Sequence, residues 1–417
     1  MKTIRMGIFG ANRGLDYADS ILLNNADIVA VCDKNEHWLN RARERFGDKA
    51  SYYSDFEEFF KHDLDAVLLA NYFNGHAPYA IRFLNKGVHV LSECTAAETM
   101  ADCVALVEAA EKSSAKYMLS ENYPFMRFNR EIKRICDTGT LGKIMFAEGE
   151  YNHPANGVNF SNIRRFKPFL KHWRNYLPRT YYITHSLAPI MYATGSEPVR
   201  VTAFPIWGGS KGQYSASHVG DSTAIITTLN HDGSVFRITG NATFGAHGNT
   251  YRVCGTNGQI ENLRGMGGKV ALRYNEWHKP EDVEEAESVY MPSWNDKDEA
   301  LIEKEGHGGG DFLVIRAFLD CLRNDTKPCF DVYFATKMSA VAILAHRSVL
   351  ANGMPYDVPD FRKPEDRDLW RNDRLTPFCG PNGEEPTLPC SSRPMEPTEE
   401  QMKAYMEVIS TPPDKIR

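Results

Sequence analysis

The chain has 417 residues, 42% of them hydrophobic and 24% charged, with a formal net charge of -6. This length exceeds what one hydrophobic core usually serves, so two domains are expected, and the composition is globular, not disordered. No block of Lys or Arg tracks a phosphate backbone and no apolar run approaches the ~20 residues of a membrane span, so neither nucleic acid nor a bilayer is an expected partner.

Met1 to Met6 leads straight into an apolar strand without a signal-peptide pattern. The nine cysteines form no C-x-x-C pair, which excludes the common zinc spacings and gives no disulfide framework. Reduced thiols, no metal site and a cytoplasmic location are the expectation.

Ile4 to Phe9 reads as a buried strand, Leu15 to Leu23 as a helix by its apolar spacing, and Asp27 to Cys32 as a second strand. Asp65 to Ala70 and Val88 to Leu91 add strands, with helical segments at Ala77 to Asn85 and Ala101 to Lys112. Strands alternating with helices predict an α/β, doubly wound parallel sheet over residues 1–124.

After Pro124 a helix is expected from Phe125 to Thr138. Alternating stretches follow at Lys143 to Tyr151, Arg200 to Ile206, Ser222 to Thr228, Gly233 to Thr239 and Tyr251 to Gly255. The turns Asn230-His231-Asp232-Gly233 and Gly255-Thr256-Asn257-Gly258 have hairpin chemistry. With helices at Asp311 to Asn324 and Phe334 to Leu350, residues 125–358 read as an α+β domain with a large open, mostly antiparallel sheet. Residues 359–417, rich in Pro and charge and helical only at Glu399 to Val408, read as an extended arm packed on the body or on a neighbour. An open sheet and an arm point to self-association as a homo-oligomer.

Gly7-Ile8-Phe9-Gly10-Ala11-Asn12-Arg13-Gly14 lies where a strand meets a helix, as a phosphate-binding turn does. It departs from G-x-G-x-x-G, because Asn12 stands for the second glycine and Gly14 arrives one position early. Asp33 ends the second strand 23 positions after Gly10, where a carboxylate can hold both ribose hydroxyls and would repel a 2'-phosphate. NAD is therefore the expected cofactor, held by Gly10, Asn12, Arg13, Gly14 and Asp33, with His76 on the next strand-to-helix turn; a helix-capping Asp and a surface His are the bland alternatives.

This turn with Asp33, Gly87-Val88-His89-Val90-Leu91-Ser92-Glu93, Glu121-Asn122-Tyr123, Leu141-Gly142-Lys143-Ile144 and Val253-Cys254-Gly255-Thr256-Asn257-Gly258 together resemble the Gfo/Idh/MocA family. The resemblance implies a Rossmann domain, a second domain with an open sheet, sugar or cyclitol substrates, and Glu93 and Asn122 near the cofactor. Where that family carries Glu-Lys-Pro, this chain has Glu93-Cys94-Thr95, so the lysine that polarises the substrate hydroxyl is missing. Cys94 reads as an apolar filler or, less simply, a thiolate.

Further stretches, including Tyr151-Asn152-His153, Trp173-Arg174, Tyr182 to Pro189 and Gly306 to Asp311, resemble the NAD-dependent α-N-acetylgalactosaminidase-type glycoside hydrolases of the same superfamily. That branch implies oxidation of the sugar at C3, removal of the acidified C2 proton, elimination of the aglycone, addition of water and re-reduction. By this resemblance His185, Tyr182 and His153 are the candidate acid/base residues. Trp173 and Arg174, by ring stacking and a guanidinium fork, and His307, on a glycine-rich loop before a helix, are the candidate substrate contacts, with a hydrogen-bonded core histidine, packed aromatics and structural roles as the bland alternatives. Tyr182, three residues before His185, is expected to share a helical face with it. An NAD-dependent oxidoreductase acting on a secondary hydroxyl of a sugar, glycoside or cyclitol is the first expectation. A glycoside hydrolase or lyase using the same redox step is the second, and a non-catalytic NAD-binding regulator the third.

Overall fold

The structure, a computed structural model, describes residues 3–154, 169–206, 220–393 and 397–410. β1 (Ile4–Phe9), β2 (Ala26–Cys32), β3 (Ser51–Tyr53), β4 (Ala66–Leu69), β5 (His89–Ser92) and β6 (Tyr117–Leu119) form a six-stranded sheet in the order β3-β2-β1-β4-β5-β6. Every pairing in it is parallel. Parallel neighbours require crossovers, and helices such as Glu36–Phe46, His76–Lys86 and Met100–Lys112 supply them. All four residues of β4 are buried, as befits a strand covered on both faces. The chain order reverses between β1 and β4, so a crevice opens at their carboxyl ends.

The turn leaving β1 is tighter than its sequence spacing implies. The helix begins at Ala11, not Leu15, and Gly10 caps it at φ 96°. A Cβ on Gly10 would lie 2.4 Å from the Ala70 carbonyl carbon. Gly14 falls inside this first helical turn, where a Cβ would stand 2.3 Å from Ile8 Cγ2. Its role is to let the helix lie against β1, which corrects its expected place among the cofactor contacts.

The second sheet has nine strands: β7 (Ile144–Asn152), β8 (Pro198–Pro205), β9 (Thr223–Asn230), β10 (Val235–Asn241), β11 (Gly248–Gly255), β12 (Gly258–Asn262), β13 (Val270–Tyr274), β14 (Glu287–Tyr290) and β15 (Tyr356–Asp357). Only β7 and β10 pair in parallel. The hairpin turn at Gly255 to Gly258 announces β12, but the sequence pattern carries no sign of β13 to β15, because these strands lie towards the sheet edges and β14 is nearly all exposed, so no alternation marks it. Helices Arg127–Asp137, Thr184–Thr194 and Val332–Leu350 cover one face.

The C-terminal segment docks on its own chain. Phe378 is fully buried and packs edge-on against Phe73 and Tyr181. Ser391 and Ser392 donate to Asp221, and Tyr405 is buried where Asn175 donates to its hydroxyl. Residues 394–396 and 411–417 of this expected arm lie outside the described residues. No described helix is long and apolar enough to cross a membrane.

Candidate active site

The crevice at the carboxyl ends of the parallel strands holds the nucleotide candidates. Asp33 Oδ2 accepts from the Ala11 amide at 2.7 Å and Oδ1 from the Asn35 amide at 2.8 Å, which fixes the carboxylate beside the turn. Arg13 lies over the Tyr17 ring at 4.1 Å, its Nε on Glu93 at 2.7 Å and its NH2 on Asp311 at 3.0 Å. Its side chain is thus held by carboxylates of both halves of the chain. Glu93 also accepts from Tyr17 and from the Cys94 amide. Asn122 donates to Asp311 at 2.7 Å, while its own Oδ1 is buried without a partner. Asn71, just beyond β4, likewise has a buried unpartnered Oδ1. His76 is placed otherwise than expected: it is buried with Nδ1 on Thr95 O at 2.9 Å and Nε2 on Asn71 O at 3.1 Å. Both ring nitrogens face backbone carbonyls, so His76 holds the turn that carries Asn71 and has no nitrogen left for a ligand.

The second half of the site is built on helix Thr184–Thr194 over β7. Gly149 allows the approach, since a Cβ there would stand 1.8 Å from the Ser186 carbonyl oxygen. Pro189 lies inside this helix and has no N–H for the carbonyl four residues earlier, that of His185. Tyr251 replaces the missing donor, its hydroxyl reaching His185 O at 2.6 Å. The backbone at His185 is fixed from outside the helix.

His185 Nδ1 stands 2.8 Å from Oε1 of Glu121, which is fully buried just beyond β6. A carboxylate can only accept, so Nδ1 carries the proton and Nε2 bears the lone pair, without a protein partner among the described residues. Cys94 Sγ donates to the other Glu121 oxygen at 3.0 Å. Burial, then Glu121 and Glu93, push the Cys94 thiol well above its ordinary range, so it is a neutral thiol and not a nucleophile.

Rings enclose His185. Tyr123 stacks on it at 4.1 Å, Tyr151 lies at 5.0 Å and Tyr182 meets it edge-on at 5.7 Å. Tyr182 precedes the helix, following the short turn Arg179–Tyr181, so the expected common helical face gives way to a meeting across a turn. His153 lies parallel to Tyr151 at 5.7 Å and touches His247 at 4.7 Å. Burial, His247, Arg179, His185 and Arg174 all hold His153 below the ordinary histidine pKa, so it is a neutral base at pH 7. His307 packs on the other side of Tyr123 at 6.1 Å, with Nδ1 on Asp311 at 2.9 Å. Its pKa is raised by that hydrogen bond.

Trp173 is not an open platform for a sugar. It is buried, edge-on to Phe73 at 4.8 Å, with Arg174 over its face at 4.4 Å. The indole therefore positions Arg174, which also reaches the Tyr182 ring at 5.9 Å. Beyond His247 a cavity of about 1030 Å³ opens, lined among others by Phe128, Asn152, Phe244, Arg264 and Trp294. Glu121, Asn71, Arg179, Tyr151 and His247 belong to the constellation although no role attached to them in the sequence. The position of Glu121 and Asn71 at parallel-strand ends was the available signal.

Residues 4–121 match the profile of the oxidoreductase family, NAD-binding Rossmann fold, and residues 217–367 that of the glycosyl hydrolase 109 C-terminal domain. A Gfo/Idh/MocA Rossmann domain is followed here by a glycosyl hydrolase 109 C-terminal domain. A glycosyl hydrolase family 109 protein of Saccharopolyspora erythraea is 27% identical over 391 residues, covering 87% of this chain and 84% of the relative. In fold, the chain resembles scyllo-inositol dehydrogenase of Lactobacillus casei, solved with NAD(H) and scyllo-inositol (TM-score 0.64, 19% identity, 86% and 99% coverage). It also resembles the WlbA dehydrogenase of Bordetella pertussis, solved with NADH and UDP-GlcNAcA (TM-score 0.67, 18% identity, 86% and 98% coverage).

The chain is thus an NAD-binding protein of the oxidoreductase type, and the donor set of this crevice fits that cofactor. Asp33 would accept from a ribose diol, the Gly10 turn brings a helix start to the crevice, and the unpartnered Asn71 and Asn122 oxygens would accept N–H or O–H donors.

Proposed function

We propose that this chain exchanges a hydride with a secondary hydroxyl of a sugar, glycoside or cyclitol, with His185 as the base. The observation that carries this reading is the Glu121–His185 pair, which leaves Nε2 as a lone pair beside Tyr182 and Tyr151. Bound NAD would accept the hydride. As the C–H hydrogen leaves with its electron pair, His185 Nε2 takes the hydroxyl proton, and Glu121 stabilises the imidazolium that forms. Tyr182 is positioned to donate to a substrate oxygen. Asp33, Asn71 and Asn122, with the backbone at Gly10, Asn12 and Arg13, would hold the cofactor over residues 1–124.

A second reading, redox-neutral cleavage of a glycoside, is favoured by His153. A dehydrogenase needs one base, and this site supplies a second neutral imidazole next to a large cavity. Once a ketone is present, His153 would remove the proton from the neighbouring carbon while the aglycone leaves with its bonding pair into that cavity; water adds and the hydride returns. The similarity to glycosyl hydrolase 109 proteins over most of the chain supports it. A cytoplasmic, self-associating protein belongs to the same proposal, self-association being supported by the open nine-stranded order of the second sheet with β14 and β15 at its edges.

The test is incubation with free sugars and aryl glycosides while NADH absorbance and aglycone release are followed together. NADH build-up with intact glycosides supports the dehydrogenase; catalytic aglycone release without build-up supports cleavage. In either case His185→Asn should lower turnover by about 10²–10⁴. Silence in both channels refutes both readings.

A further inference from the structure

Among the described residues, Arg179 is a cation without an ion-pair partner. It stands at the start of the turn Arg179–Tyr181, its amide on Asp221 O at 2.9 Å, and its guanidinium lies over the Tyr182 ring at 5.2 Å. Its Nε is buried without a hydrogen-bond partner, and no carboxylate among the described residues forms an ion pair with it. Outside the described residues, the segments 155–168 and 207–219 contain no Asp or Glu, and the acidic side chains are those of Glu396 and Asp414. Arg174 faces the same ring from 5.9 Å and repels it. Glu121, the carboxylate beside His185, is engaged with His185 and Cys94, and Asp221 with Ser391 and Ser392.

Stacking on a phenol leaves the N–H donors of a guanidinium unsatisfied, and a buried charge without a partner is costly. By contrast, Arg13 in the nucleotide half has three carboxylates, Asp16, Glu93 and Asp311. The unbalanced charge is therefore confined to the side of the site formed by Tyr151, Tyr182 and His153, away from the turn that would meet the cofactor's phosphates.

We infer that the substrate is an anionic sugar, whose carboxylate or sulfate is bound by Arg179 with Arg174 beside it. The inference rests on the proposed carbohydrate site and narrows it to acidic sugars. An oxyanion accepts two parallel N–H bonds from a guanidinium fork, which a hydroxyl does not.

The test measures binding to the NAD-loaded protein by calorimetry. The probes are methyl glucuronide and methyl galacturonide, their neutral methyl esters, and the corresponding 6-sulfated and unmodified glycosides. The acids or the sulfates should bind roughly tenfold or more tighter than their neutral counterparts. That ratio should fall with added salt, collapse to about one in Arg179→Gln and survive in part in Arg179→Lys. NAD affinity of the variants reports that they are folded. A larger gain for carboxylates than for sulfates, or the reverse, identifies the group. Neutral sugars binding as tightly as the acids, or a preference that survives Arg179→Gln, overturns the inference and leaves the carbohydrate reading standing. Absence of binding by every sugar overturns both.

Discussion

The chemistry of the site turns on how two histidines are kept different. His185 has its Nδ1 on a buried carboxylate, whereas His153 has rings and cations around it and no carboxylate partner among the described residues. Burial among positive charges disfavours the imidazolium of His153. His153 thus stays neutral to below its ordinary pKa of about 6.5. If it acts as a base, activity is retained as pH falls through that value and lost only below it, with a single acid limb in kcat/KM. Removing a neighbouring cation raises its pKa. The acid limb of His247→Asn should therefore move to higher pH than that of the parent, while an unmoved limb would mean that another group governs it. The thiol at Cys94, neutral and donating to Glu121, keeps the carboxylate oriented without supplying the positive charge that a lysine would.

At the level of elements, the connection between β5 and helix Met100–Lys112 is linked to the C-terminal segment. Glu98 sits on it, half-buried, and accepts from the Thr376 hydroxyl. Burial raises its pKa from 4.5 to about 7, partly opposed by Thr376. The folded-state pKa is thus above the unfolded one. Stability is unaffected by this group below about 4.5, falls as pH rises from there to about 7, and is level beyond, with a ceiling near 3 kcal/mol. Glu98→Gln keeps the acceptor oxygen and removes the ionisation. It should raise Tm at pH 8 and leave it unchanged at pH 4; an equal effect at both would mean that Glu98 ionises normally. None of this was legible in the sequence, where Glu98 and Thr376 stand 278 positions apart. The local features were legible: the buried strands, the two hairpin turns and the helix Val332–Leu350 each have a period or a turn residue that marks them. The exact start of the first helix was not, since it depends on Gly10 packing against the Ala70 backbone, a contact between separate strands.

Across the whole molecule, what the sequence could indicate was the type of each half, and what it could not indicate was how they lock together. Asp33 stood out in the sequence because it ends a strand at a meaningful distance from the glycine turn, and His185 because its segment resembles the histidine-bearing one of the glycoside hydrolase branch. Glu121 pairs with His185 across 64 positions and Arg13 with Asp311 across 298, distances at which no periodicity speaks. The second pair joins the nucleotide turn to the start of helix Gly310–Arg323. Asp311 is 1% exposed and gathers Arg13, Asn122 and His307 on its two oxygens. The bonds from His307 and Arg13 hold its carboxyl far below the usual range despite burial. Its contribution is therefore present above the unfolded value near 4 and is lost only as pH falls below it. Asp311→Asn keeps the size but leaves Arg13 without the most deeply buried of its three anions. The expected cost is about 3 kcal/mol of stability at pH 7, as for breaking a buried pair, shrinking towards zero at pH 2. NAD affinity should fall in the same variant, because the turn and Asn122 lose their common anchor. A loss of stability with unchanged NAD affinity would show that Asp311 fastens the two halves without shaping the nucleotide crevice.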